Sequence, residues 1–164
     1  MNNEMELLFD ARSTNEGLAR VAVAAFVAHL NPTLEELSDI KTAVSEAVTT
    51  AIIHGYGNLQ GYCRHGEVRP SGDGYVPGKV RLACKLADGV LDVIVEDQGK
   101  GIEDISKAME PLYTTMPELD RSGMGFAFME AFMDHLEVES TLGKGTKILM
   151  RKKMTSGSWI PGEE

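Results

Sequence analysis

The sequence predicts an α/β two-layer sandwich, a mixed and mostly antiparallel sheet covered by helices on one face. Strand-like alternation at residues 4–9 and in the neighbouring segments VRLACKL and VLDVIVE supplies the sheet. Two long helical patterns follow the first strand, and strands and helices then mix without the strict alternation of a doubly wound sheet. At 164 residues, 43% hydrophobic and 25% charged, the chain suits one domain, placed at 1–153.

The elements follow in order. EMELLF alternates with Met5, Leu7 and Phe9 on one face, a short strand. Ser13 and Glu16 have capping-box spacing, and Leu18, Val21, Ala22, Ala25 and Phe26 then repeat at helical spacing. Glu16 and Arg20, four apart on the other side, read as a solvated pair. Asn31-Pro32 breaks the chain, and Thr33 with Glu36 opens a second helix. Its apolar stripe runs Leu34, Leu37, Ile40, Val44, Ala47, Val48, Ala51 and Ile52, to an end near Gly55. Residues 57–79, glycine-rich and without apolar period, read as an inserted loop. Asp88-Gly89 joins the next two strands as a tight hairpin. A glycine turn with a short helix, a polar proline-punctuated stretch, the helix GFAFMEAFMDHL and the strands HLEVEST and TKILMRKK complete the domain. The tail 154–164 reads as disordered, and the basic run MRKKM as the solvated end of a strand.

Composition excludes several functions. A formal net charge of −9 without a basic patch in the body of the chain opposes nucleic acid and anionic membranes as partners. Apolar runs are too short for a membrane span and the N-terminus lacks signal-peptide character, so a cytoplasmic protein is expected. Cys63 and Cys84 lack CxxC spacing and read as plain thiols; His54, Cys63 and His65 lack the paired spacing of a zinc motif.

Four features carry chemistry. In SEAVTTAIIHGY the polar residues Glu46, Thr50 and His54 recur every fourth position on an otherwise apolar helix. DQGKG leaves a strand with Asp97 at its end, where a carboxylate can accept from an exocyclic amine and Gly99 and Gly101 let backbone approach a planar base. RSGMGF sets Gly123 and Gly125 at a helix start, where free amides favour phosphate oxygens, with Arg121 just ahead. GKGT, with Thr146, taken alone reads as a hairpin turn.

Together, E-x-x-x-T-x-x-x-H, DxGxG, GxG and GxGT in this order resemble the Bergerat-type ATP-binding fold of Hsp90-type chaperones, type II topoisomerases, histidine kinases and MutL. Nearly the whole chain, including RSTNEGLARVAVAAFVAHLNPTLEELSDIKTAVSEAVTTAIIHGY and PLYTTMPELDRSGMGF, is similar to the anti-sigma F factors of spore-forming bacteria. The resemblance implies a homodimeric serine kinase that uses ATP and Mg2+, releases ADP, holds a sporulation sigma factor and phosphorylates an anti-anti-sigma protein. It implies Glu46 as catalytic base and Asp97 as the adenine-reading acid, with Gly99 and Gly101 as the nucleotide-contacting turn. Thr146 would pack beside the adenine or Asp97. It also implies an ATP lid over 102–122, with Thr114, Thr115 and Arg121 on the phosphates and Gly123 and Gly125 at its end, and a partner surface at Glu16 and Arg20. One position departs from the pattern: Thr50 stands where these proteins carry a magnesium-holding Asn. Weaker magnesium binding and slower transfer are expected. A sister anti-sigma kinase of the general stress response would differ in partner but not in chemistry, whereas a nucleotide-switched binding module would transfer no phosphate.

Overall fold

A computed structural model describes residues 2–56, 78–110 and 125–155. Five strands form one sheet in the order β1-β2-β3-β5-β4: β1 (Asn3–Asp10), β2 (Lys79–Ala87), β3 (Val90–Asp97), β4 (His135–Thr141) and β5 (Gly145–Lys153). All four pairings are antiparallel, so the sheet contains no parallel pair. The β2–β3 hairpin turns at Asp88 and Gly89, both at positive φ (52° and 75°) as the dipeptide requires.

Helices cover one face: α1 (Thr14–Val27), α2 (Leu34–Thr50) and α4 (Gly125–Phe132), with α2 packed between the other two, and the one-turn α3 (Ile105–Ala108) at the side. Strand alternation builds the floor beneath them. Leu82, Val95 and Ile148 stand in one cross-strand row, Cys84, Val93 and Met150 in the next, all buried. The row at the opposite end is Val80, Asp97 and Thr146. An acid and a hydroxyl thus take core-facing positions, and that end of the sheet carries the candidate site.

α2 begins as its sequence predicts, with a complete Thr33–Glu36 capping box. Glu36 is also buried and accepts from the Thr155 amide (2.7 Å) and hydroxyl (2.5 Å), and Met154 is buried as well. α1 departs from expectation. Ser13 makes no side-chain cap and already has helical dihedrals, and Glu16 turns toward α2, where it accepts from the Ser45 hydroxyl. The buried face of α1 is Ala19, Val23, Phe26 and Val27, while Leu18 and Val21 are exposed. At the start of α2, Leu34 is 87% exposed. α4 stops at Phe132, four residues short of the predicted segment, because Asp134 donates its amide to Arg151 of β5. The basic run is not wholly solvated: Lys152 is 9% exposed and donates to the Phe132 carbonyl at the end of α4 (2.8 Å), while Asp39 lies 3.6 Å away.

Candidate active site

The last turn of α2 is not α-helical. Ala51–Gly55 form a π turn, which widens the helix where the stripe was expected to run on at even spacing. The turn brings Gly55 against the end of β3. A Cβ at Gly55 would lie 2.7 Å from an Asp97 carboxylate oxygen, and one at Gly99 only 2.0 Å from the Gly55 carbonyl. Glycine is therefore required at both places by close approach. Hydrogen bonds stitch the junction. Lys100 donates its amide to the Gly55 carbonyl (2.9 Å), and the Tyr56 hydroxyl donates to the Lys79 carbonyl (2.6 Å) while accepting from the Gln98 amide (2.8 Å).

Asp97 is 5% exposed and accepts from the amides of Gly99, at 2.9 Å, and Thr146. Burial outweighs those two donors and pushes its carboxyl up to about 6. The third glycine cluster locks onto this turn. Gly143 donates to the Lys100 carbonyl (2.6 Å), and a Cβ at Gly145 would lie 2.0 Å from the Asp97 carbonyl. GKGT is thus a hairpin turn and also one wall of the Asp97 site. Ser140, which sequence reasoning missed, ties the clusters together: its hydroxyl accepts from the Ile102 amide (2.7 Å), lies 3.0 Å from the Gly145 carbonyl and 2.8 Å from the Thr146 hydroxyl. A serine in an alternating strand carries no signal of that role, and neither does Tyr56 after a glycine.

Beside this junction lies an open cavity of about 790 Å³, whose lining includes Thr50, His54, Lys100, Gly101, Gly125 and Ser140. Its size falls within the range of small-molecule sites. Asp97, Gly99 and Thr146 are not on that lining; Gly55 packs directly on the carboxylate. At the start of α4, Gly125 faces both polar members of the α2 stripe. A Cβ there would lie 3.3 Å from Glu46 Oε2 and 3.4 Å from Thr50 Oγ1. The carboxylate and the hydroxyl thus converge on one point at the cavity margin.

Glu46 itself lines a separate cavity of about 310 Å³, together with Arg20 of α1 and Lys41, Thr42 and Ser45 of α2. Glu16, expected on a solvated face, is half-buried there between Ser45 and Arg20, whose Nη1 lies 3.7 Å from its carboxylate. The structure thus brings Thr50, Gly101 and Gly125 onto the lining of the large cavity and Glu46 next to its Gly125 edge, with Asp97, Gly99 and Thr146 off that lining. Thr114, Thr115, Arg121 and Gly123 lie outside the described residues, as do Cys63 and His65. Among the described residues no group of three or more His, Cys, Asp or Glu could hold a metal ion. Cys84 is buried, which pushes its thiol up to about 12 and away from the reactive thiolate.

Residues 9–152 match the family described as histidine kinase-like ATPase domain. The chain is 53% identical to an anti-sigma F factor of Clostridium perfringens (strain SM101 / Type A) over 95% of its own length and 100% of that protein's. It is 51% identical to the anti-sigma F factor of Clostridium novyi (strain NT), over 94% and 96% of the two chains. Among solved structures, the RsbU and RsbW domains of a Mycobacterium tuberculosis protein share the fold, with a TM-score of 0.60 at 18% identity over 95% of this chain and 33% of that one. Half of all residues shared along nearly the full length of both proteins, on an ATPase-type sheet with its glycine clusters interlocked, means that the chain belongs to the anti-sigma F factor family of histidine kinase-like ATPase domains.

Proposed function

We propose that this protein is an anti-sigma factor that binds a sporulation sigma factor and phosphorylates a serine of its anti-anti-sigma antagonist with ATP, working as a cytoplasmic homodimer. The observation that carries the kinase half is the convergence of Glu46 Oε2 and Thr50 Oγ1 on Gly125 at the margin of the large cavity. A base beside a bound triphosphate and a hard oxygen ligand next to it are what phosphoryl transfer to a hydroxyl needs.

In this reading the acceptor serine gives its hydroxyl proton to the Glu46 carboxylate as its oxygen bonds to the γ-phosphorus. The bond from that phosphorus to the bridging oxygen breaks, and ADP leaves with the electron pair. The products are ADP, phosphoserine and a protonated Glu46 that returns its proton to water. Ionised Asp97 accepts from the adenine amine, Gly99 and Gly101 let backbone lie close to the base, and Thr146 holds the carboxylate through its amide. Thr114, Thr115, Arg121 and Gly123 supply the lid and phosphate contacts, Gly125 the helix start beneath them, and Glu16 and Arg20 the partner surface.

Magnesium fits the donors present. It prefers hard oxygens and arrives on the nucleotide, so one protein hydroxyl at Thr50 suffices to hold it, and when bound it spreads the charge of the phosphates. The Thr oxygen reaches one bond less far than an Asn amide oxygen, which favours a looser ion. That same observation favours the second reading, a nucleotide-switched sigma-binding module that transfers no phosphate. Incubation with ATP, Mg2+ and the antagonist, followed by mass spectrometry, separates the two. The kinase reading expects phosphoserine with wild type and at least a hundredfold less with Glu46→Gln; no phosphoserine in either leaves only the binding module.

A further inference from the structure

The basic run MRKKM holds a buried side chain that the proposed reaction does not use. β5 turns Thr146, Ile148, Met150 and Lys152 to the core, all of them buried. Thr146, at one end, gives its amide to Asp97. Lys152 stands about 20 Å further along, at ~3.4 Å per residue. It is 9% exposed, donates to the Phe132 carbonyl at the end of α4 (2.8 Å) and lies 3.6 Å from the Asp39 carboxylate of α2. An ammonium this deeply buried is costly unless bonded and paired, and a cation at a helix C-terminus meets carbonyls that the helix leaves open. The exit from α4 is tied to β5 twice more: the Asp134 amide donates to the Arg151 carbonyl (2.9 Å), and the Asp134 carboxylate accepts from the Lys153 amide (2.7 Å). Those two bonds hold α4 to the sheet. Lys152 holds it to α2 as well.

We propose that Lys152 is a positioning residue for phosphoryl transfer: it fixes where α4 stands along α2, and so holds Gly125 against Glu46 and Thr50. Matching lengths carry the argument. From Asp39 to Glu46 is seven residues of α2, and from Gly125 to Phe132 is seven residues of α4, about 10.5 Å in each helix at 1.5 Å per residue. α4 thus lies beside α2 with Phe132 at the level of Asp39, through Lys152, and Gly125 at the level of Glu46. Clearance at the Gly125 end is small, since a Cβ there would lie only 3.3 Å from Glu46 Oε2 and 3.4 Å from Thr50 Oγ1. A slip of one residue, about 1.5 Å, would press the first turn of α4 into those oxygens or draw it off them. Misplacement of reacting groups by ~1 Å can cost about a hundredfold in rate. Lys152 acts from the opposite end of α4, through the helix. The inference rests on the kinase reading for the reaction, but its nucleotide-binding half stands without it.

The test uses the full chain with three variants. Lys152→Met keeps the length but loses charge and donors, Lys152→Arg keeps both, and Asp39→Asn removes the partner charge on α2. Titration calorimetry gives adenosine and ADP affinity, steady-state transfer to the unphosphorylated antagonist gives kcat and KM, and circular dichroism checks that each variant folds. Lys152→Met is expected to lower kcat by about tenfold or more with the antagonist KM unchanged, and to shrink the preference for ADP over adenosine by about fivefold with adenosine affinity unchanged. Lys152→Arg should recover both to within about threefold, and Asp39→Asn should move both in the same direction by less. Folded Lys152→Met with wild-type kcat and wild-type ADP preference overturns the proposal. So does a loss of adenosine and ADP affinity in equal measure, which marks a general loosening. If Lys152→Met does not fold, Asp39→Asn decides on the same two readouts. Wild type that binds nucleotide but transfers no phosphate refutes the kinase reading, and the ratio of ADP to adenosine affinity then tests Lys152 by itself.

Discussion

Asp97→Asn separates the cost of the buried acid from its use. The Asp97 carboxyl is raised from 3.8 to about 6, chiefly by burial. The folded protein therefore holds this proton more tightly than the unfolded chain does, and stability falls as pH rises from the unfolded value through the folded one. At about 1.4 kcal/mol per tenfold change in affinity, the full difference is roughly 3 kcal/mol, and about half of it falls between pH 5 and 7. Asn keeps the size and a carbonyl oxygen for the Gly99 amide but has no charge to bury. Urea denaturation at pH 5, 6 and 7 should show wild type losing about 1 to 1.5 kcal/mol relative to Asp97→Asn across that range. Saturating ADP should flatten the wild-type slope, because an amine donor to the carboxylate favours its ionised form. Parallel pH profiles for the two proteins without nucleotide would refute the idea that Asp97 is buried at a cost.

Gly145→Ala should destabilise by about 3 kcal/mol or more, since its Cβ would meet the Asp97 backbone at a φ of 115°, whereas Gly143→Ala, with open space around it, should cost only about 1 kcal/mol by chemical denaturation. Glu36→Gln weakens the bonds to Thr33 and Thr155 and should cost roughly 2 kcal/mol; a melting temperature within a degree of wild type counts against that clasp. Thr50→Asn should lower the magnesium concentration needed for half-maximal phosphorylation by several-fold, and identical magnesium curves for the two proteins would sink the argument from side-chain reach.

Much of the fold was legible because its signals are local. Period-2 alternation gives the strands, Asp88-Gly89 the hairpin, and Thr33–Glu36 the start of α2. The exceptions share a cause: each depends on a partner distant in sequence. Glu16 has the spacing of a capping residue, yet Ser45 on the facing helix claims it. α1 buries Ala19, Val23, Phe26 and Val27 rather than Leu18 and Val21, a choice of face that helical period alone does not make. Lys152 looks solvated until the end of α4 offers it a carbonyl. For the site, residue types and order pointed to Glu46, Thr50, Asp97 and the glycines. The π turn was invisible in the even spacing of Glu46, Thr50 and His54. So were Ser140 and Tyr56, whose hydroxyls bond across turns and strands to groups that the local pattern does not bring near.

The Glu36–Thr155 clasp has a consequence in time. The two residues are 119 positions apart, and β5, which ends just before Thr155, is inserted between β3 and β4 rather than added at an edge. At translation rates of ~5–20 residues per second, the ribosome takes on the order of 6 to 24 s to make that span. Throughout it Glu36 has only the Thr33 cap to bond, and β4 lacks the strand it pairs with until β5 follows. The helix that bears the candidate base thus gains its Glu36–Thr155 contact only after all of β5 has been made.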